Sequence, residues 1–441
     1  MSVMSQHTAK QNFNTQIHEH TAYMPIDATC CVHLLRTVVF KPYTIAMMLT
    51  VLLLWTRILL SSSPAIAQFD PFLVGPLLAV NTAEQDRIIL YDVATGSKRE
   101  LNFGRFWHQV WDFSPDGCRI LFTLNDIAAP GRLFSARLDG SDMRELVIFD
   151  ALPPERWGVW EPDWSPDGTR IAFTMIRDLR GDDGTLERNF HIAYVAPQGG
   201  EPNFYSVTGD EHNPQWSPDG QWLAYISFEE RVAGASLFAT AEPTQVVPAG
   251  VPTPQSTLLR EADLWMVNAT GVTKFRLTNF PTGSLRAPRW SPNGELIGFT
   301  YAPSANDDQF WMIAAAPDAL PTQLSLGLNL TLDMTWLPDS TALLVAARDL
   351  QGISENRLWR VPLVGNADTD ATLFIDDPSL NNADYPRFSA DGRWLAFRSA
   401  YTLILYEIAT QTPTFVDLDT LGNTPPVWSP AAFTGETNCA R

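Results

Sequence analysis

Trp164-Ser-Pro-Asp-Gly168 and Trp216-Ser-Pro-Asp-Gly220 are the same five residues, met twice at a spacing of 52. Variants recur along the chain: Phe113-Ser-Pro-Asp-Gly117, Trp290-Ser-Pro-Asn-Gly294, Trp336-Leu-Pro-Asp-Ser340, Phe388-Ser-Ala-Asp-Gly392 and a truncated Trp428-Ser-Pro430. Each reads as a turn, because Pro presets φ, Asp bonds the local backbone and Gly accepts positive φ. Counted at the Ser position (Leu337 in the fifth copy), the spacings are 51, 52, 74, 46, 52 and 40 residues. That period lies close to the roughly 40–50 residues of a four-stranded propeller blade.

Strands flank each turn. A Pro stands two before the aromatic in five copies (Pro162, Pro214, Pro288, Pro386, Pro426) and is expected to mark where a strand begins. Beyond the turn, apolar residues alternate: Ile120/Phe122, Ile171/Phe173, Leu223/Tyr225, Ile297/Phe299, Leu343/Val345 and Leu395/Phe397. Period two means strand. A third strand follows, as in Leu264–Val267, Phe310–Ile313 and Leu358–Val361, and its Trp265, Trp311 and Trp359 read as blade packing. A fourth follows after another turn, as in Lys274–Thr278. Near the start, Ile89–Thr95 closely matches Ile404–Thr410 near the end, so the repeats open part-way through a blade. The last copy supplies a lone first strand around Val427–Pro430, which can complete that blade. The expected fold is all-β: a propeller of four-stranded antiparallel blades, seven in number with six as the alternative. Its N- and C-terminal strands would share a blade and so remove the open edges.

The Trp-Ser-Pro-Asp-Gly turn followed by an Ile-Ala-Phe strand resembles the repeat of the TolB-like β-propeller family, over roughly residues 77–431. It is also similar to propeller domains of prolyl-oligopeptidase-type peptidases. The Gly-His and Trp-Asp pair of WD repeats is absent. What the resemblance implies is a fold, because propellers host many unrelated activities. A role in envelope protein assembly carries over weakly, since TolB has an extra N-terminal domain and usually six blades.

Outside the repeats, Thr44–Trp55 is an uncharged apolar run, preceded by Arg36 and Lys41 and followed by Ala65-Ile-Ala67. That order reads as a secretory signal cleaved after Ala67, with an uncleaved anchor as the alternative. The expected division is a leader over 1–67 and one propeller domain over 68–441. No Cys follows the cleavage site, so a lipoprotein is not expected. The protein would be exported, periplasmic or extracellular, and would touch a membrane only through an uncleaved leader. The leader removed, Cys118 and Cys439 remain. They can pair in an oxidising compartment, although two free thiols is the slightly favoured reading.

Composition narrows the function. With 30 Lys+Arg against 49 Asp+Glu, the 441 residues carry a formal charge of −19, which excludes a nucleic-acid partner. There is no G-x-S-x-G elbow, and no α/β-hydrolase domain is expected beyond the repeats, so a peptidase is not the expected reading. C-x-x-C, H-E-x-x-H and a Gly-rich phosphate loop are also missing. Asp182-Asp-Gly184 reads as a solvated acidic turn rather than a calcium loop. No metal or other cofactor is expected.

If first strands line the channel, the positions five before each turn Ser should ring one mouth. These are Gln109, Trp160, His212, Arg286, Leu332, Asp384 and Thr424, with Trp107, His108, Trp157, Glu161 and Asp333 beside them. They vary from blade to blade, as a binding rim would. Positions two before the Ser (Asp112, Asp163, Gln215, Arg289, Thr335, Arg387) would form inter-blade ion pairs. The 74-residue spacing implies a flexible insertion at 228–262 in blade three, with four prolines. The expected function is a module binding a protein or glycan on this face. A metal-assisted polysaccharide lyase is the alternative, and would require His108, His212 and Gln109 to converge.

Overall fold

The computed structural model describes residues 72–439 apart from 105, 127–128, 150–155, 181–185, 207–209, 233–257, 305–307, 325–328, 349–354, 366 and 419–420. The leader read at 1–67 and the acidic turn at 182–184 therefore lie outside the described residues. No helix among the described residues is long and apolar enough to cross a membrane.

Each repeat is built from its turn outward. The turn Ser hydroxyl donates to the Asp or Asn two residues on, at 2.5–2.7 Å in the five copies that keep it. The same oxygen accepts the backbone N–H five residues on, at 2.9 Å. The Gly closing each of these turns has φ between +69° and +74°, and Ser340 takes φ +60° in the fifth copy. A Cβ there is strained, which is why Gly recurs.

Seven four-stranded antiparallel sheets result. Their inner strands are Trp107–Phe113, Arg156–Trp164, Asp210–Trp216, Ser284–Trp290, Asn329–Trp336, Ala383–Phe388 and Val427–Trp428, in blades one to seven. Each inner strand contacts the next around the ring, and the seventh contacts the first. In blade seven, Val427–Trp428 pairs with Leu77–Asn81 (Leu78 with Trp428, Ala79 with Val427). The blades number seven, and both ends of the repeat region share the last.

The second-strand pairs named above are the core: all twelve side chains are buried. They pack between blades, so one cluster runs from Ala224 in blade three to Val361 in blade five. Trp265, Trp311 and Trp359 pack against these clusters, as expected.

Three expectations need correction. Pro426 does stand just before its strand, Val427–Trp428, but Pro162, Pro214, Pro288 and Pro386 do not begin strands; they sit inside the inner strands, at register shifts. The blade-three insertion does not open at 228, because the hairpin continues in register from Phe228–Ala262 to Val232–Leu258. The rest, 233–257, lies outside the described residues. Finally, Cys118 and Cys439 are joined in a disulfide although 321 residues apart. The chain after blade seven carries Cys439 there. Phe433 wedges between Gly75 and Gly117, where an added Cβ would fall 2.7 and 2.5 Å from it. Glu436 pairs with the buried Arg99 at 2.6 Å.

Candidate functional site at the channel mouth

A bulge in the inner strand builds the site. In four blades the residue before the proline is left-handed: Glu161 (φ +53°), Asn213 (+54°), Ala287 (+51°) and Tyr385 (+55°). None is glycine, so each carries backbone strain held by the surrounding sheet. The bulge turns the strand and re-aims its side chains. All four residues consequently line one cavity of about 510 Å³ on the ring axis, with Asp163, Gln215, Arg289, Asp333 and Arg387.

The wall of this cavity also holds the blades together, through a few kinds of stitch. Asp112 accepts from the Trp164 N–H at 3.0 Å, and Asp163 from the Trp216 N–H at 2.6 Å. The Trp290 indole donates to Gln215 O (3.0 Å), Trp336 to Arg289 O (2.9 Å) and Trp428 to Arg387 O (2.9 Å). Arg387 is salt-bridged to Asp333. Asn81 closes the last seam, donating to His108 O at 2.7 Å and accepting from the Val110 N–H at 3.1 Å. The expected ion pairs two before each Ser are thus only partly formed. Asp112 and Asp163 bind backbone instead, and the acid that pairs with Arg387 is Asp333, four before its turn.

The electrostatics follow from this placement. Asp163 lines the cavity and Asp112 sits at the neighbouring seam; both have protein around them, and desolvation pushes both carboxyls well above the usual carboxylate range. The neighbouring Asp163 charge adds to the rise at Asp112. Burial and the nearby Arg387 charge lower Arg289, against the pull of Asp333 and Asp163.

The residues expected at the rim separate into three groups. Gln109 and Asp333 line the axial cavity. Trp107 and Trp160 are 49% and 44% exposed, and line an adjoining hollow of about 410 Å³ that shares Gln109, Trp111 and Glu161 with the axial one. The others lie elsewhere. His108 is fully buried, its Nε2 accepting from the Phe103 N–H at 2.9 Å and its Nδ1 3.2 Å from Gln85 O. Burial holds its pKa below the ordinary histidine value. Trp157 is buried under Arg132, whose guanidinium lies 3.9 Å from the ring centre. Asp384 is buried between Asn356 and Arg398, each at 2.8 Å. Arg286 pairs with Asp308 beside a separate hollow.

His212 packs between Phe190 and Phe228, with ring centres 4.4 and 5.4 Å away, and contacts Asp210 at 2.8 Å. His108, His212 and Gln109 therefore do not meet at one point, and the geometry expected of a lyase is not formed. Among the described residues no three His, Cys, Asp or Glu are grouped to hold a metal. Sequence reasoning missed Tyr385, Asn213 and Ala287 as cavity walls. The available signal was the X-Pro pair inside a strand, which marks a bulge as readily as a strand start.

No known family model matches the chain. It is 24% identical over 262 residues to the "Uncharacterized peptidase YuxL" of Bacillus subtilis, covering 59% of this chain and 32% of that protein. It is 35% identical over 75 residues to the "Tol-Pal system protein TolB" of Methylobacillus flagellatus, covering 14% of this chain and 17% of that one. The chain thus spans about a third or less of these curated relatives. Among solved structures, a puromycin-hydrolyzing peptidase of Mycobacterium tuberculosis superposes with a TM-score of 0.54 at 13% identity, over 80% of this chain and 54% of that one. One of two prolyl endopeptidases gives 0.51 at 12%, over 85% and 55%. These likenesses concern the propeller fold alone.

Proposed function

Taking the chain as a TolB-like β-propeller, we propose that it is an exported binding module whose channel mouth holds a protein or glycan ligand. The observation that carries this reading is the bulged wall. Four non-glycine residues keep left-handed backbones at equivalent positions, and each blade sends a different side chain into one cavity. Strain of this kind concentrates at functional sites, and a concave pocket with convergent polar groups is where ligands bind. Export is supported by the signal-like order before Ala67 and by the Cys118–Cys439 disulfide, a bond that persists in oxidising compartments.

The test is photo-crosslinking in native cells, with a light-activated residue at Tyr385 or, as control, at Val272 in a turn between third and fourth strands. The chain should be recovered outside the cytoplasm, beginning at Gln68. Light should then join a discrete partner at 385 but not at 272. A cytoplasmic chain would overturn the export reading. Equal labelling at both positions, or none at 385 together with no glycan binding, would overturn the binding reading.

A further inference from the structure

The geometry points to a saccharide site in the hollow beside the channel, between blades one and two, that takes a neutral hexopyranose chain. This deepens the binding reading above and rests on it. Trp107 and Trp160 each leave nearly half their surface in water, on opposite sides of one seam. Trp111 forms a third wall, fixed by its indole N–H donating to Thr123 Oγ1 at 3.0 Å. Aromatic rings with open faces beside polar groups suit a ligand that is apolar on its ring faces and polar around its edge. A pyranose is such a ligand, with axial C–H bonds on its faces and equatorial hydroxyls at its rim.

The polar groups are in place for those hydroxyls. Asn125 keeps its carboxamide in the hollow through bonds of only 3.5 Å to Trp107 O and 3.4 Å to Thr123 Oγ1. The space it occupies depends on Gly131, where a Cβ would fall 2.2 Å from Asn125 Oδ1. Glu161 is positioned through one oxygen, Oε2, by Thr174 at 3.2 Å and the Asn213 N–H at 3.0 Å. Asp126 completes the rim. Among the described residues neither Lys nor Arg lines the hollow, whereas two carboxylates do. An anionic sugar would meet repulsion with no counter-charge. A quaternary ammonium also suits aromatic walls and carboxylates, but it brings no hydroxyl to the amides of Gln109 and Asn125 that line the hollow. The two amides therefore favour the neutral glycan.

Calorimetric titration of the full chain tests this, with cellotetraose and chitotetraose as neutral probes, tetragalacturonate as the acidic one and choline as the cationic one. At least one neutral probe should bind, and Trp160→Ala should weaken it at least about tenfold with an unchanged melting temperature. Tetragalacturonate should bind at least about tenfold more weakly, and Asp126→Asn should narrow that gap. No neutral binding, choline binding in its place, or neutral binding undiminished in Trp160→Ala would each overturn the site. Should the neutral probes fail while residue 385 still captures a protein partner, only this inference falls and the binding reading stands.

Discussion

Asp112 and Asp163 show how one side chain serves both stability and the site. Each accepts the backbone N–H of the next blade's turn Trp, in a channel wall that disfavours its charge. Their carboxyls hold protons in the folded chain at pH values where an unfolded aspartate has lost them. Folding therefore takes up protons above about pH 4, and stability falls as pH rises through neutrality. We expect the melting temperature to drop between pH 5 and pH 8.5, and the Asp112→Asn, Asp163→Asn double variant to show a flatter profile. Asn keeps an acceptor for each N–H, so the variant should remain folded at pH 5. Identical slopes in thermal melts would refute the assignment. The types of these residues were legible in the sequence as a channel ring. Their partners were not, because a carboxylate two before a turn can meet a cation or a backbone N–H, and only ring geometry decides which.

At the scale of the element, the inner strand departs most from its sequence reading. In the sequence, the position five before each turn Ser puts Trp160, His212, Arg286 and Asp384 at the mouth. The left-handed residue before each proline breaks that count, and the neighbouring position points inward instead: Glu161, Asn213, Ala287 and Tyr385. The turns, by contrast, were fully legible, because Ser-Pro-Asp-Gly encodes its hydrogen bonds locally. Ala287 gives a clean test of the strain. Ala287→Val adds a β-branched side chain at φ +51° and should lower stability by about 1–2 kcal/mol. Ala287→Gly should be neutral or stabilising. Chemical denaturation of the three proteins would measure the order Gly ≥ Ala > Val, and any other order would contradict the strain.

At the scale of the whole molecule, ring closure decides what is possible. The composite blade was legible, since Ile89–Thr95 and Ile404–Thr410 are two copies of one third strand running into its fourth. The cysteine pairing was not, because Cys118 and Cys439 are neighbours only once the seventh blade has formed. The closing inner strand has two residues, so the wedge of Phe433, the Arg99–Glu436 pair and the disulfide support it. Replacing both cysteines by Ser should cost about 2–4 kcal/mol and lower the melting temperature while leaving a folded ring. An unchanged melting temperature would show that blade seven holds without the bond.

The same disulfide has a topological consequence. From Cys118 to Cys439 the polypeptide is a closed covalent circuit, and one peptide bond broken anywhere along it yields no separable fragment. Backbone continuity within blades two to six is thus dispensable for keeping the molecule in one piece, and a chain nicked there by a protease is still held together around its channel.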